Sequence, residues 1–243
     1  MKITICTLFE ELFEPFFMTS IIKRANLQDF VDLRTVNIRD YTNDKHNRVD
    51  DYPYGGGAGL VMKAQPILDM LKDIKTPTSK VIYLTPVAPV FNQDKAKSLA
   101  KEEDLILLCG HYEGIDERVL SQVDEVLSIG DYILTGGEVA AMVVVDSIVR
   151  LLDGVISKES TMDESFESSL LEYPQYTRPE EIEGLKVPEV LISGHHKNIE
   201  EWRLKESLRK TYQYRKDLLK KANLSKQAVK LLEEVKSEED NNH

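Results

Sequence analysis

The chain has 243 residues, enough for one large domain or for a domain of about 150 residues followed by a smaller one. Its hydrophobic content of 42% is ordinary for a globular protein and sufficient for a core. The net charge of −11 argues against a nucleic-acid partner, but the charge is uneven. Residues 195–221 contain nine Lys or Arg and four Asp or Glu, and phosphate binding requires only such a local basic surface.

The sequence carries no recognisable targeting or membrane-spanning signal. The stretch "MKITICTLFEELFEPFF" lacks the order of charge, long apolar core and small-residue cleavage site of a signal peptide. The most apolar run, residues 139–152, contains Asp146 and Arg150 and is shorter than the about 20 residues that cross a bilayer. Cys6 and Cys109 follow no metal-ligand spacing and are interpreted as buried thiols in a reducing compartment. We therefore expect a cytoplasmic protein.

The first 110 residues alternate short apolar runs with helical patterns. The segments "KITICTLF", "VDLRTVNIRD", "KVIYLTPV" and "DLILLCG" are typical of strands, and "QPILDMLKDI" and "QDKAKSLAKEE" of helices. This alternation predicts a mostly parallel sheet, and the continuous apolar run at residues 105–108 predicts cover on both faces. After Gly136 and Gly137, the run "VAAMVVVDSIVRLL" predicts a buried helix.

The second half of the chain has a different pattern. "IEEWRLKESLRKTYQYRKDLLKKA" and "LSKQAVKLLEEVKSEE" predict amphipathic helices, the second with Ser225 as N-cap, and only "PEVLISG" carries a strand signal. The polar segment "KESTMDESFESS" is typical of a tether, and composition leaves open whether one of its carboxylates does chemistry. We therefore predict an α/β domain at residues 1–157, a flexible linker at 158–169 and a small, mainly helical domain at 170–243.

Three glycine-rich segments are candidate ligand loops. "DDYPYGGGAGLVMKAQP" matches neither the Gly-Lys-Ser/Thr nucleotide loop nor G-x-G-x-x-G, so a structural loop is as plausible as a ligand loop. "LCGHYEGIDERV" directly follows a strand, and "SIGDYILTGGE" surrounds a short apolar strand with glycines, although each alone also fits a plain connection. Two such loops at neighbouring strand ends, without a nucleophile or metal set, favour a cofactor held by main-chain hydrogen bonds.

The segment "VPEVLISGHHKNIEEWRLKESL" and the basic helix after it offer further candidates. Adjacent His195 and His196 point apart and have no third ligand at useful spacing, so a turn into a helix is preferred over a metal site. Trp202, Tyr212 and Tyr214 lie among Lys and Arg and are able to stack bases, although core packing is the more ordinary role of the first two.

No serine elbow, Cys–His pair or zinc set occurs in the sequence, which leaves acid–base or group-transfer chemistry. Arg150 ends the very apolar helical run, where an arginine is seldom buried without a partner or ligand. The alternative role of Arg150 is that of an ordinary helix-end residue hydrogen-bonded to carbonyl groups.

Taken together, these segments closely resemble the bacterial tRNA (guanine-N1)-methyltransferases of the TrmD family, in the SPOUT superfamily. The matching stretches cover almost the whole chain and are, in order, "DDYPYGGGAG", "LCGHYEGIDERV", "SIGDYILTGGE", "LLEYPQYTRP" and "ISGHHKNIEEWRLKESLRKTY". The resemblance implies a SPOUT-type α/β fold with a deep trefoil knot, which neither spacing nor periodicity would indicate because knots are very rare. It also implies an obligate homodimer with active sites at the subunit interface.

The resemblance implies that the knot loops hold S-adenosylmethionine in a bent form. No metal-ligand cluster is visible in the sequence. Carried over residue by residue, the cofactor contacts are Gly110, Ile129, Gly130, Asp131, Tyr132, Ile133 and Leu134. Their expected neighbours in the site are Tyr112, Glu113, Gly114, Gly136 and Gly137.

The family's substrate is the guanine just 3′ of the tRNA anticodon, at position 37, methylated at N1. Because that nitrogen carries a proton, a carboxylate is expected as general base, and an arginine is expected to stabilise the charge that develops across N1 and O6. Arg150 matches the family's arginine. The family's base is an aspartate directly before Ser-Phe, whereas here Glu164 holds that place and Asp163 lies one residue earlier.

Position relative to Ser-Phe favours Glu164, and chemical identity favours Asp163; we expect Glu164 to be the base. The changed base position leaves open a second function, an RNA-binding protein of this superfamily with weak or no catalysis. A third is a SPOUT methyltransferase that acts on ribosomal RNA. The strand end "LTPVAPVFNQ" also lacks a glycine that the resemblance implies on the adenine or ribose side of the cofactor.

Overall fold

The computed structural model describes residues 1–157, 165–166 and 169–240. The chain divides into two compact units, Met1–Ile156 and Ser157–His243. Most of the predicted linker, including the candidate bases Asp163 and Glu164, lies outside the described residues.

A five-stranded sheet forms the centre of the first unit. Its strands are β1 (Lys2–Thr7), β2 (Asp32–Asn37), β5 (Ser79–Leu84), β6 (Asp104–Cys109) and β7 (Glu125–Leu127). They follow the order β2-β1-β6-β5-β7, and every pairing in this sheet is parallel. Two short strands, β3 (Asp50–Asp51) and β4 (Val61–Met62), form a separate antiparallel pair. The predicted α/β class with a parallel sheet is confirmed.

Apolar cores lie on both faces of this sheet. Strand β6 is buried along its whole length. Leu105 and Leu107 belong to one core, whereas Ile106 and Leu108 belong to the other, because successive side chains of a strand point to opposite faces. The helices around the sheet are α1 (Phe13–Phe17), α2 (Ser20–Leu27), α3 (Ala64–Ile74), α4 (Gln93–Leu99) and α5 (Glu138–Val149).

Helix α5 packs into the core that contains Leu105, through buried residues such as Val144 and Ile148. Helix α3 packs into the opposite core through Ile67 and Met70. Strands covered by helices on both faces have no solvent-facing side, which explains why their sequences read as continuous apolar runs.

The second unit is mainly helical. Its helices are α6 (Glu189–Ile192), α7 (His196–Tyr214), α8 (Lys216–Leu219) and α9 (Lys226–Asp240). Leu208 of α7 packs with Leu231 of α9 in a small core that also includes Leu170. Ser225 accepts a 3.2 Å hydrogen bond from the backbone N–H of Ala228, as expected for the N-cap of α9.

The expectation of a strand at "PEVLISG" is wrong. Those residues form the short helix α6, which begins after Pro188, a residue whose fixed backbone suits the start of a helix. The unit's strands are instead β8 (Glu181–Ile182) and β9 (Leu185–Lys186), an antiparallel hairpin. Glu183 and Gly184 join them with φ angles of 53° and 81°, the doubly positive pattern of a tight hairpin turn.

Both cysteines are buried thiols without a disulfide, as predicted. Burial raises the pKa of Cys6 and of Cys109, and the charge of Glu138 adds to the shift at Cys109. In the part of the chain that the structure describes, no helix combines the length and apolar character needed to cross a membrane.

Candidate cofactor site

The neighbouring strands β6, β5 and β7 are parallel, so their carboxyl ends lie side by side, and this is where open α/β sheets bind ligands. β5 lies between β6 and β7 in the sheet. The prediction that the loops after β6 and β7 follow neighbouring strands is therefore wrong, because the chain passes from β6 to the far side of β5. The segment after β5 consequently lies between those two loops.

A cavity of about 260 Å³ opens at this edge. Every predicted cofactor residue except Asp131 lines it, and Asp131 belongs to the same loop as its neighbours in the lining. The lining consists of Tyr83, Leu84, Thr85, Pro86, Val87, Gly110, His111, Tyr112, Glu113, Gly114, Leu127, Ser128, Ile129, Gly130, Tyr132, Ile133, Leu134, Thr135, Gly136, Gly137 and Ala140.

Residues 83–87, at the end of β5, are the main part of the lining that the sequence did not predict. The only sequence signal for them was the glycine that the resemblance implies there and that this chain lacks. Their place follows from the sheet order, since the strand between two ligand loops must contribute to the same edge.

The loop that follows β7 is fixed by main-chain hydrogen bonds to the loop that follows β5. The N–H of Phe91 donates to the carbonyl oxygen of Ser128 at 2.7 Å, and the N–H of Ser128 donates to that of Pro89 at 3.1 Å. The hydroxyl of Ser128 accepts from the N–H of Gly130 at 3.2 Å. These hydrogen bonds fix the position of the loop after β7 relative to the loop after β5.

Gly137 marks the closest approach of two loops. Its N–H donates to the carbonyl oxygen of Gly110 at 2.8 Å. A Cβ at this position would lie only 2.8 Å from the Cα of Cys109, which belongs to the backbone of β6 and cannot move aside. Glycine is therefore required here for the start of α5 to reach the end of β6.

Two tyrosines in the lining remain protonated over the ordinary pH range. Burial raises the pKa of Tyr83. Burial also raises that of Tyr112, a hydrogen bond to Asp50 raises it further, and Arg39 opposes the shift. Tyr112 has a φ of 57°, a left-handed conformation that a bulky residue adopts only when the surrounding structure imposes it.

The first glycine-rich segment supports the cavity without lining it. The N–H of Glu113 donates to the carbonyl oxygen of Leu60 at 3.0 Å, and the N–H of Met62 donates to that of Gly114 at 2.9 Å. The end of the segment is thus tied to the second glycine loop. The glycines at 55, 56, 57 and 59 are absent from the lining.

The chemistry of the lining limits what the cavity can hold. The described lining residues include neither lysine nor arginine, and Glu113 is their one carboxylate. The described lining therefore offers no cationic side chain to a phosphate group and suits an uncharged or cationic ligand. Leu84, Ile129 and Leu134 offer apolar surface for an aromatic ring.

Arg150 is not brought to this cavity. It follows α5 directly and is absent from the lining, whereas Gly136 and Gly137 precede α5 and belong to it. The helix between them has 12 residues, so at 1.5 Å per residue it separates the two ends by about 18 Å. The resemblance assigns Arg150 to catalysis and the loop residues to the cofactor, and within one chain the structure keeps the two apart.

The aromatic residues of the basic segment have different surroundings. The ring of Trp202 lies 6.3 Å from that of Tyr176, and Tyr212 packs against the core of the second unit. Tyr214 is 73% exposed. Two of the basic residues, Lys205 and Arg209, form ion pairs with Glu238 of α9, each at 2.7 Å. His195 is the N-cap of α7, as the predicted turn into a helix requires.

Within the described residues, no three His, Cys, Asp or Glu side chains come together as a metal site. The fold and the cavity define the class of this protein: a parallel α/β protein with a glycine-walled cavity, free of lysine and arginine in its described lining, where the strands of its sheet end, and a helical unit that contains the basic segment 195–221.

Comparison with known proteins gives the family. The family described as tRNA (Guanine-1)-methyltransferase TrmD matches residues 1–221. A tRNA (guanine-N(1)-)-methyltransferase of Clostridium beijerinckii is 58% identical over 234 residues, which cover 96% of this chain and 98% of the relative. One from Bacillus cereus is 54% identical over 244 residues, covering 98% and 100%. The chain belongs to the TrmD family of tRNA (guanine-N1)-methyltransferases, as the motifs predicted.

Proposed function

We propose that this protein transfers a methyl group from S-adenosylmethionine to N1 of the guanine at position 37 of tRNA, in the cytoplasm, where bacterial tRNA is found. One observation carries the proposal: in a chain of this family, almost all the predicted cofactor residues meet in one glycine-walled cavity without cationic side chains. S-adenosylmethionine carries no phosphate and bears a positive sulfonium, so it fits this lining.

Within the cavity, the glycine loops provide close backbone contact and Leu84, Ile129 and Leu134 provide apolar surface for the adenine. These residues would hold S-adenosylmethionine, which, when bound, would supply the methyl group to guanine N1 and leave as the neutral thioether. A linker carboxylate, Glu164 or Asp163, takes the N1 proton, which makes the nitrogen nucleophilic. Arg150 stabilises the negative charge that spreads over N1 and O6.

We propose that Arg150 serves the cavity of a second copy of the chain. About 18 Å of helix separates it from the cavity of its own chain, a distance that an arginine side chain cannot bridge. In a homodimer with active sites at the subunit interface, as the resemblance implies, Arg150 of one copy reaches the guanine that is bound beside the cofactor of the other. This arrangement also explains why a chain of this family separates the two groups.

We also propose that the chain is knotted around the cavity, as in the SPOUT superfamily. Two contacts between the glycine loops support the close crossing that a knot needs. His111 and Gly136 form an antiparallel bridge, and Gly137 donates its N–H to the carbonyl oxygen of Gly110. The basic residues 195–221 are then suited to bind the tRNA backbone, with Tyr214 exposed for stacking.

The test is to incubate the purified protein with S-adenosylmethionine and an unmodified tRNA transcript, and to map the methylated base by mass spectrometry. We expect 1-methylguanine at position 37, and no product when that guanine is replaced by adenine. Methylation elsewhere, or of ribosomal RNA in preference to tRNA, would contradict the proposal. Tight binding of tRNA and cofactor without transfer would favour the RNA-binding alternative.

A further inference from the structure

A buried carboxylate lies directly behind the cavity wall. Glu138 is the first residue of α5, only 5% exposed, and is not part of the lining. Its Oε1 accepts a 2.8 Å hydrogen bond from the hydroxyl of Thr7, at the end of β1. The helix N-terminus favours a negative charge there, but a carboxylate removed from water needs more than one partner.

The side chain of His111 lacks a hydrogen-bond partner within the described part of the chain, at a ring nitrogen. Its Nδ1 is buried, and no described residue hydrogen-bonds to it. The ring is fixed between two others, with centroids 5.0 Å from that of Phe9 and 4.8 Å from that of Tyr112. A buried ring nitrogen without a partner is costly, so the nearest polar group on the described residues is the first candidate for its partner.

Gly136 connects the two groups. A Cβ on this glycine would lie 2.3 Å from Oε2 of Glu138 and 2.6 Å from Nδ1 of His111. Both polar atoms therefore face the same side of Gly136 and flank a single point. Because Gly136 has no side chain, nothing of that residue occupies the point between the two polar atoms.

We propose that Glu138 is a positioning residue for the cofactor site, which accepts hydrogen bonds from Thr7 and from the Nδ1–H of His111 and so fixes the cavity wall. This proposal rests on the proposed cofactor function. A proton held on Nδ1 leaves Nε2 of His111 as an acceptor. The carboxylate thus ties β1, which does not reach the cavity, to the two loops that contain His111 and Gly136.

The main test uses Glu138→Gln, which keeps the shape of the side chain. The amide oxygen can still accept from Thr7, but the amide NH₂ then faces His111 and repels a proton on Nδ1. We expect 15N NMR of the imidazole to show a proton on Nδ1 in the wild type and on Nε2 alone in the variant. We also expect the affinity for S-adenosylmethionine, measured by calorimetry, to fall about tenfold or more.

Asp104→Asn is the matched control. Asp104 is equally buried and accepts a hydrogen bond from the hydroxyl of Ser79. It is the first residue of β6, however, and therefore lies at the end of the strand that faces away from the cavity. We expect this variant to lose stability while the His111 proton and the cofactor affinity stay as in the wild type. If Glu138→Gln and Asp104→Asn lost the same affinity for S-adenosylmethionine, Glu138 would have only a general structural role.

A second pair of variants covers the case in which Glu138→Gln does not fold. In His111→Asn the amide nitrogen takes the place of Nδ1 and can still donate to Glu138, whereas His111→Leu cannot. We expect His111→Asn to bind S-adenosylmethionine clearly more tightly than His111→Leu. Equal affinities, or a wild-type His111 protonated only on Nε2, would overturn the proposal. A wild type that binds no S-adenosylmethionine would refute the proposed function instead, and the NMR result would still test the pair.

Discussion

The backbone N–H of Gly137 donates to the carbonyl oxygen of Gly110 across 2.8 Å, which joins the start of α5 to the end of β6. The two glycines come from different predicted motifs, 27 positions apart in the chain. Their contact places both cofactor loops on one wall of the cavity, so the geometry of the site depends on backbone that comes too close for a side chain.

Gly137→Ala is expected to damage both folding and cofactor binding. The new Cβ would lie 2.8 Å from the Cα of Cys109, and the backbone must separate to admit it. Overpacking of this kind typically costs about 1–3 kcal/mol in the free energy of unfolding. Chemical denaturation measures the stability change, and calorimetry measures the weaker binding of S-adenosylmethionine.

Gly110→Ala, in the other loop of the same cavity wall, serves as the comparison for Gly137→Ala. Its Cβ would meet the ring of Tyr83 at 2.9 Å, and a side chain can rotate away where backbone cannot. We expect a smaller loss of stability than in Gly137→Ala, together with weaker cofactor binding because the displaced ring lines the cavity. If Gly137→Ala were the more stable of the two, the close-approach argument would be wrong.

The sequence predicted most strands and helices of the first unit because their signals are local, but the short strand expected within "SIGDYILTGGE" is wrong, since residues 131–135 form a loop after β7. Continuous apolar runs such as residues 105–108 indicate a strand covered on both faces, and the structure has β6 buried throughout. The order of strands is not a local property. Nothing in the sequence near Ser79–Leu84 indicates that β5 lies between β6 and β7, so only the resemblance, through the glycine it implies in "LTPVAPVFNQ", pointed to this segment, and Tyr83 was not predicted.

The contact between Thr7 and Glu138 could not be predicted for a related reason. The two residues are 131 positions apart, and neither belongs to a spacing pattern that suggests a pair. A serine or threonine at a strand end and a glutamate at the start of a helix each have an ordinary local role. Only the packing of β1 against α5 shows that the carboxylate is buried.

Arg150→Ala is expected to lower the rate of methyl transfer far more than the affinity for the cofactor. Loss of one group that stabilises developing charge commonly costs about 100-fold or more in kcat. Arg150 is proposed to contact guanine O6 and not the cofactor, so cofactor binding has no direct reason to change. Single-turnover methylation of a tRNA transcript and calorimetry with S-adenosylmethionine measure the two effects separately.

Arg150→Lys is the matched variant, since it keeps the charge but not the planar fork of donors. We expect its rate to lie between those of the wild type and the alanine variant. If alanine reduced cofactor affinity and turnover by the same factor, Arg150 would act on cofactor binding and its role at guanine O6 would be refuted.

Alanine variants of the two linker carboxylates distinguish the candidate bases. We expect Glu164→Ala to lower kcat by about 100-fold or more and Asp163→Ala to lower it much less. Because proton removal from N1 should limit the rate in the impaired variant, its activity should increase with pH more steeply than that of the wild type. The reverse order of the single variants would identify Asp163 as the base, and full activity of the double variant would exclude a linker base.

The ion pairs between α7 and α9 predict how the stability of the second unit depends on pH. Hydrogen bonds and charge from Lys205 and Arg209 lower the pKa of Glu238 below its ordinary value. In the unfolded chain the pKa of a glutamate is about 4.3. Because the pKa of Glu238 is lower in the folded state, the ionised side chain stabilises the fold fully at pH values above about 4.3. This contribution is lost as the pH falls through the lower pKa of the folded state. Glu238→Gln should therefore destabilise at neutral pH and have almost no effect in strong acid.

The side chain of Glu238 is 45% exposed, so solvent screening limits the effect at neutral pH to less than about 1 kcal/mol. Trp202 is the one tryptophan of the chain and lies in α7, so its fluorescence reports the unfolding of this unit. Glu233→Gln is the control, because its partner Lys236 lies on the same helix and the pair does not join α7 to α9. If the two variants behaved alike at every pH and at high salt, the pairs between the helices would contribute nothing specific to stability.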